Sequence, residues 1–118
     1  MIDVCYVILM NYLLKKDKYS RARGGNSIFY SLSCAKCGEF LLVYQKDGIG
    51  NMLRLYIDRI SGSESLKKLQ SIENKADLPI LKCEKCGLVI GVPMIYAPEK
   101  RLAFRLVRGT FKKEICIK

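Results

Sequence analysis

Histidine and tryptophan are both absent from this chain of 118 residues. The first absence removes the commonest general acid–base group and the usual nitrogen ligand of an open catalytic zinc. The second excludes a small-ligand cage built of indoles. Long apolar runs are also missing. The longest, MIDVCYVILMNYLL over Met1–Leu14, is too short to span a bilayer and lacks the basic N-terminal region and small-residue cleavage site of a signal peptide. Three readings of it stay open: a strand or short helix docked on a core, an extension ahead of a true start at Met10, or a segment inserting peripherally into a membrane beside Lys15-Lys16.

Cysteine, by contrast, is patterned. Four of the six cysteines form two matching runs, Cys34-Ala35-Lys36-Cys37-Gly38 and Cys83-Glu84-Lys85-Cys86-Gly87. Two Cys-x-x-Cys pairs supply four thiolates, which fill a tetrahedral zinc site completely. Glycine after each pair fits a tight knuckle with a positive φ. The metal ligands expected are therefore Cys34, Cys37, Cys83 and Cys86 on one Zn²⁺. A closed four-sulfur site is structural, so no catalytic residue is assigned and the chain reads more as a binding module than as an enzyme. Rubredoxin-type iron uses the same knuckles; the basic composition makes it the weaker reading. Cys5 and Cys116 read as apolar fillers. Metal spacing without a signal peptide favours a reducing, cytoplasmic setting over a secreted disulfide framework.

Sliding the chain by 49 residues superposes the knuckles and more. Leu41 falls on Ile90, Val43 on Val92, Leu53 on Leu102, Leu55 on Phe104, Ile57 on Leu106 and Arg59 on Arg108. Such recurrence marks a duplicated unit. It predicts two β-halves, about 28–60 and 77–109, each giving one thiolate pair to a shared ion inside a single domain over 28–118. Residues 1–27 form an apolar segment and a basic arm ahead of it.

Strands are expected over 28–33, 40–45, 52–60, 80–82, 88–92, 102–108 and 111–117, from alternation and β-forming residues. Leu53, Leu55 and Ile57 should share the buried face of the third. Pro93 should mark an edge or bend. Leu66, Leu69 and Ile72 with Ser63 as N-cap predict one short helix or partly ordered linker over 64–75. Lys15–Ser27 reads as a turn or mobile arm.

The net charge is +10, from 21 basic and 11 acidic residues. Residues 11–23 carry a net +4 and residues 99–118 a net +5. Such a surface favours polyanions, especially RNA or DNA phosphates or a ribonucleoprotein; a charge that only keeps a small protein soluble is the equal alternative. The candidate contacts are Arg54, Arg59, Arg105 and Arg108, with tyrosines available for stacking.

These knuckles, their spacing and the C-terminal run LKCEKCGLVIGVPMIYAPEKRLAFRLVRGTFKKEI resemble the β-tent group of zinc proteins. That group includes Yippee-like proteins, cereblon's ligand-binding domain and B-type methionine sulfoxide reductases. A zinc ribbon with a long insertion is the alternative. The resemblance implies a mainly β, small two-sheet domain joined by one structural zinc. It also implies alternative functions: a protein- or small-ligand-binding module, or a thiol-dependent reductase using Cys116. The context Glu114-Ile115-Cys116-Ile117-Lys118 departs from the Arg-x-Cys-x-Asn pattern of those reductases, and their histidines are absent.

Overall fold

A computed structural model describes residues 17–24, 27–48 and 50–117. Among them the chain forms eight strands in two antiparallel sheets: β1 (Ser27–Cys34), β2 (Phe40–Asp47), β3 (Arg54–Tyr56), β4 (Ile60–Ser61), β5 (Leu81–Lys82), β6 (Val89–Tyr96), β7 (Arg101–Leu106) and β8 (Phe111–Ile117). The first sheet runs β4-β2-β1-β8 and the second β3-β7-β6-β5. This is the mainly β, two-sheet domain that the sequence predicts.

The two hairpins β1-β2 and β5-β6 each turn through one Cys-x-x-Cys-Gly run. The 49-residue shift maps β2 onto β6 residue for residue. Two of the remaining strands cross over. β3 leaves its own half to pair with β7, and β8 returns to pair with β1. Each sheet therefore contains one strand of the other half.

The core lies where the sheets face each other. Leu32, Leu42, Leu55, Ile90, Ala103 and Phe104 are fully buried. The repeat mates Leu55 and Phe104 are direct partners across β3 and β7. Truncating a fully buried Phe to Ala typically costs about 3–5 kcal/mol. Phe104 also packs against the sheet backbone: a Cβ on Gly91 would stand 3.0 Å from its Cβ.

Several local expectations give way. The third strand ends at Tyr56, and a 3-10 turn, Ile57–Arg59, follows. That turn breaks the alternation, so Tyr56, Ile57 and Arg59 are all buried while Leu53 is 59% exposed. The predicted helix over 64–75 is one α-turn, α2 (Glu64–Lys67), continued as the 3-10 segment Lys68–Ser71. Its N-cap is Ser63, whose Oγ accepts the Leu66 N–H at 3.4 Å. Part of the basic arm is a helix, α1 (Lys18–Ala22). Its flank is fastened to the sheets by Asp17, which pairs with Arg59, and by Arg23, which pairs with Glu99. Pro93 sits inside β6, opposite Phe104 of β7, beyond the point where β5 pairs with the other edge. No neighbouring strand there requires the missing N–H. Cys5 and the apolar run over 1–14 lie outside the described residues.

Candidate metal centre and basic face

Each knuckle is built by the same hydrogen bonds. The Gly38 N–H donates to the Cys34 carbonyl at 2.9 Å, and the Gly87 N–H to the Cys83 carbonyl at 2.8 Å. The Cys34 N–H closes on the Glu39 carbonyl at 2.8 Å, and the Cys83 N–H on the Leu88 carbonyl at 2.9 Å. Gly38 and Gly87 both have φ of +79°, a conformation that side chains disfavour. The sequence repeat is thus also a repeat of backbone geometry.

The two knuckles meet where the sheets converge. The sulfurs of Cys34, Cys37, Cys83 and Cys86 all lie within 4.8 Å of one another. Across the sheets, Cys34 Sγ is 3.6 Å from Cys86 Sγ, and Cys37 Sγ is 3.5 Å from Cys83 Sγ. A tetrahedral ion with metal–sulfur bonds of about 2.3 Å needs sulfur edges of about 3.8 Å. The donor set and its spacing fit a zinc-type site. Cys34 and Cys83 are buried, and Cys37 and Cys86 are half-buried.

The local field already favours thiolates at the first cysteine of each pair. The Cys37 backbone N–H is the main influence pulling the Cys34 thiol down to about 6, against burial. The Cys86 N–H lowers Cys83 in the same way. The Glu39 N–H favours the Cys37 thiolate, yet burial and the neighbouring sulfurs outweigh it and push that thiol up to about 12. Four sulfurs this close cannot all hold negative charge without a cation among them. A divalent ion would release the remaining protons and bind all four.

Cys116 is disulfide-bonded. It offers no free thiol, so the expectation of an unpaired apolar filler gives way and the reductase reading loses its nucleophile.

The four predicted arginines separate. Arg59 has a side chain only 1% exposed and is held by three carboxylates. Its Nε donates to Asp47 at 2.9 Å, its Nη2 to Asp17 at 2.6 Å and its Nη1 to Asp58 at 3.4 Å. It is an internal tie and does not reach solvent. Its repeat mate Arg108 is exposed, as is Arg105. Arg54 is half-buried and lies directly opposite Arg105 across β3 and β7.

Spacing along the chain gave no signal for the network around Tyr56. Arg101 Nη2 donates to Asp58 at 2.7 Å, and its guanidinium lies 4.0 Å from the Tyr19 ring centre and 3.9 Å from that of Tyr56. Arg23 donates two bonds of 2.8 Å to Glu99. Arg54 lies 4.3 Å from the Tyr96 ring centre and donates to the Tyr56 hydroxyl at 3.2 Å. The ion pairs of this region absorb three arginines, Arg23, Arg59 and Arg101, and four carboxylates, Asp17, Asp47, Asp58 and Glu99. Removing them from the 21 basic and 11 acidic residues leaves 18 basic against 7 acidic for the rest of the chain.

Comparison with known proteins finds no matching family model, no matching curated protein and no matching solved structure. No helix among the described residues is long and apolar enough to cross a membrane.

Proposed function

We propose that this chain is a non-catalytic, zinc-stabilised module of β-tent type that binds RNA through the face carrying Arg54, Arg105 and Arg108. The placement of one knuckle in each sheet supports the β-tent reading over a zinc ribbon, because the ion would join two sheets. The observation that carries the RNA reading is the direct pairing of Arg54 with Arg105. Like charges opposite each other in a sheet are destabilising, and no carboxylate pairs with either arginine among the described residues. A polyanion on this face would relieve that repulsion. Arg54 on Tyr96 also provides a flat cationic platform of the kind on which bases stack. Next to it Arg108, Lys113, Phe111 and Leu53 line an open hollow of about 330 Å³.

Filter binding of a single-stranded RNA across about 50–200 mM salt tests the reading. Three phosphate contacts give a slope of log affinity against log salt near −2, since each contributes about −0.7 on single strands. Arg105→Ala should flatten that slope by about 0.7. No RNA or heparin retention at low salt would remove the reading.

A further inference from the structure

The cleft beside β2 holds more hydrogen-bond donors than the protein satisfies. Its walls are Lys46, Arg23, Arg54, Tyr44, Tyr56 and Asn51, around a volume of about 320 Å³. Lys46 is the anomaly. It is only 9% exposed, and its ammonium makes one hydrogen bond, 2.9 Å to the Gly48 carbonyl. No carboxylate lies in ion-pair range of it among the described residues. A largely buried ammonium with one protein hydrogen bond and no ion-paired carboxylate among the described residues is costly. Burial, followed by repulsion from Lys113, holds its pKa below the ordinary lysine value.

The nearest acid cannot serve. One oxygen of Asp47 accepts bonds from Ser27 and Gln45, and the other accepts from Arg59. The tyrosines add to the imbalance. Tyr44 Oη accepts the Tyr56 N–H at 2.9 Å, and Tyr56 Oη accepts from Arg23 and Arg54. Each hydroxyl therefore keeps its own proton for another acceptor. Gly48 keeps this wall close, since a Cβ there would stand 2.8 Å from that of Arg23.

We infer that this cleft is a binding site for a phosphate group, with Lys46 at its floor and Arg54 and the Tyr44 and Tyr56 hydroxyls as further donors. A tetrahedral dianion offers several acceptor oxygens to donors converging from different walls, where a carboxylate offers two. Met52 and Leu53 on the rim can cover an organic group attached to the phosphate. The site stands on the donor excess and does not rest on the RNA reading, although a phosphate of RNA is one source of the ligand.

Thermal melting and calorimetric titration of the full-length, zinc-loaded protein test it, with inorganic phosphate, adenosine monophosphate and acetate at matched ionic strength. Phosphate and the nucleotide should raise the melting temperature more than acetate does. Lys46→Met should bind the nucleotide about tenfold more weakly or worse, through loss of a charge-assisted contact. Its ligand-free melting temperature should stay level or rise, since an unpaired buried charge has gone. Arg54→Gln should weaken binding in the same direction. Stronger competition by the nucleotide than by a 5′-hydroxyl oligoribonucleotide assigns the site to a phosphate monoester, and the reverse assigns it to backbone phosphate; either supports a phosphate site. Equal responses to phosphate and acetate, or nucleotide binding unchanged in Lys46→Met, would overturn the inference even where RNA binding through Arg105 and Arg108 is intact.

Discussion

Replacing Arg59 with methionine separates an internal tie from a nucleic-acid contact. Arg59 joins the turn after β3 to Asp47 at the end of β2 and to Asp17 beside α1, so it links both sheets and the helix. The Asp47 side chain is 4% exposed and would keep only neutral donors, Ser27 and Gln45, after the substitution. Breaking a buried ion pair from one side costs about 3–5 kcal/mol, whereas the half-exposed Asp17 and Asp58 contacts add about 0–1 kcal/mol each. A domain of this size has about 5–15 kcal/mol in all. With a urea dependence of about 1.5 kcal/mol per molar, the unfolding midpoint should fall by about 2 M or more. Urea unfolding at neutral pH in buffered zinc is the assay. Asp47→Asn in the same background should recover about 2 kcal/mol, because it removes the stranded charge. The salt slope of RNA binding should not change. A loss below about 1 kcal/mol, or strictly additive Arg59 and Asp47 substitutions, would refute the account of a buried tie.

Removal of metal should unfold most of the domain: one zinc per chain is expected by elemental analysis, and chelation or Cys34→Ser should abolish the native circular dichroism, given apparent zinc affinities of about 10–16 kcal/mol. A red, iron-containing preparation would contradict the zinc assignment. Glu99 has its pKa lowered, chiefly by the hydrogen bonds from Arg23 and then against burial. The stability it provides should be complete above its unfolded pKa of about 4.5 and lost as pH falls through the lower folded value. Glu99→Gln should therefore cost about 2 kcal/mol near pH 7, with the difference from the parent closing in acid. A constant difference down to the most acidic pH measured would count against the Arg23–Glu99 bond.

The four-cysteine cluster was legible because its determinants are local. Two residues between cysteines and a glycine after them specify a knuckle wherever it occurs, and a shift of 49 residues exposes the duplication. The hairpins followed for the same reason. Partner choice among the remaining strands was not legible, since β3 and β8 select edges far away in the sequence. Alternation misassigned Leu53 because the chain leaves the pleat at Ile57, where a 3-10 turn carries Arg59 inward. Arg59 and Arg108 occupy equivalent places in the repeat, yet only the first has Asp47 and Asp17 to receive it. The two positions share a residue type but not its surroundings. Arg23 meets Glu99 across 76 residues, and no window of sequence contains both.

The crossing of β3 and β8 into opposite sheets has a consequence for synthesis. While the first knuckle has left the ribosome and the second has not, the chain offers an ion only two of the four clustered sulfurs, and the β1 edge has no neighbour on the β8 side. Neither hairpin can finish its own sheet from its own half. The native arrangement forms only after Phe111–Ile117 has emerged to pair with β1. Folding therefore depends on contacts distant in the sequence, of the kind that proceeds slowly and leaves strand edges open meanwhile. Early zinc capture by Cys34 and Cys37 would tether the metal before the fold exists, so that arrival of Cys83 and Cys86 closes coordination and topology in one step.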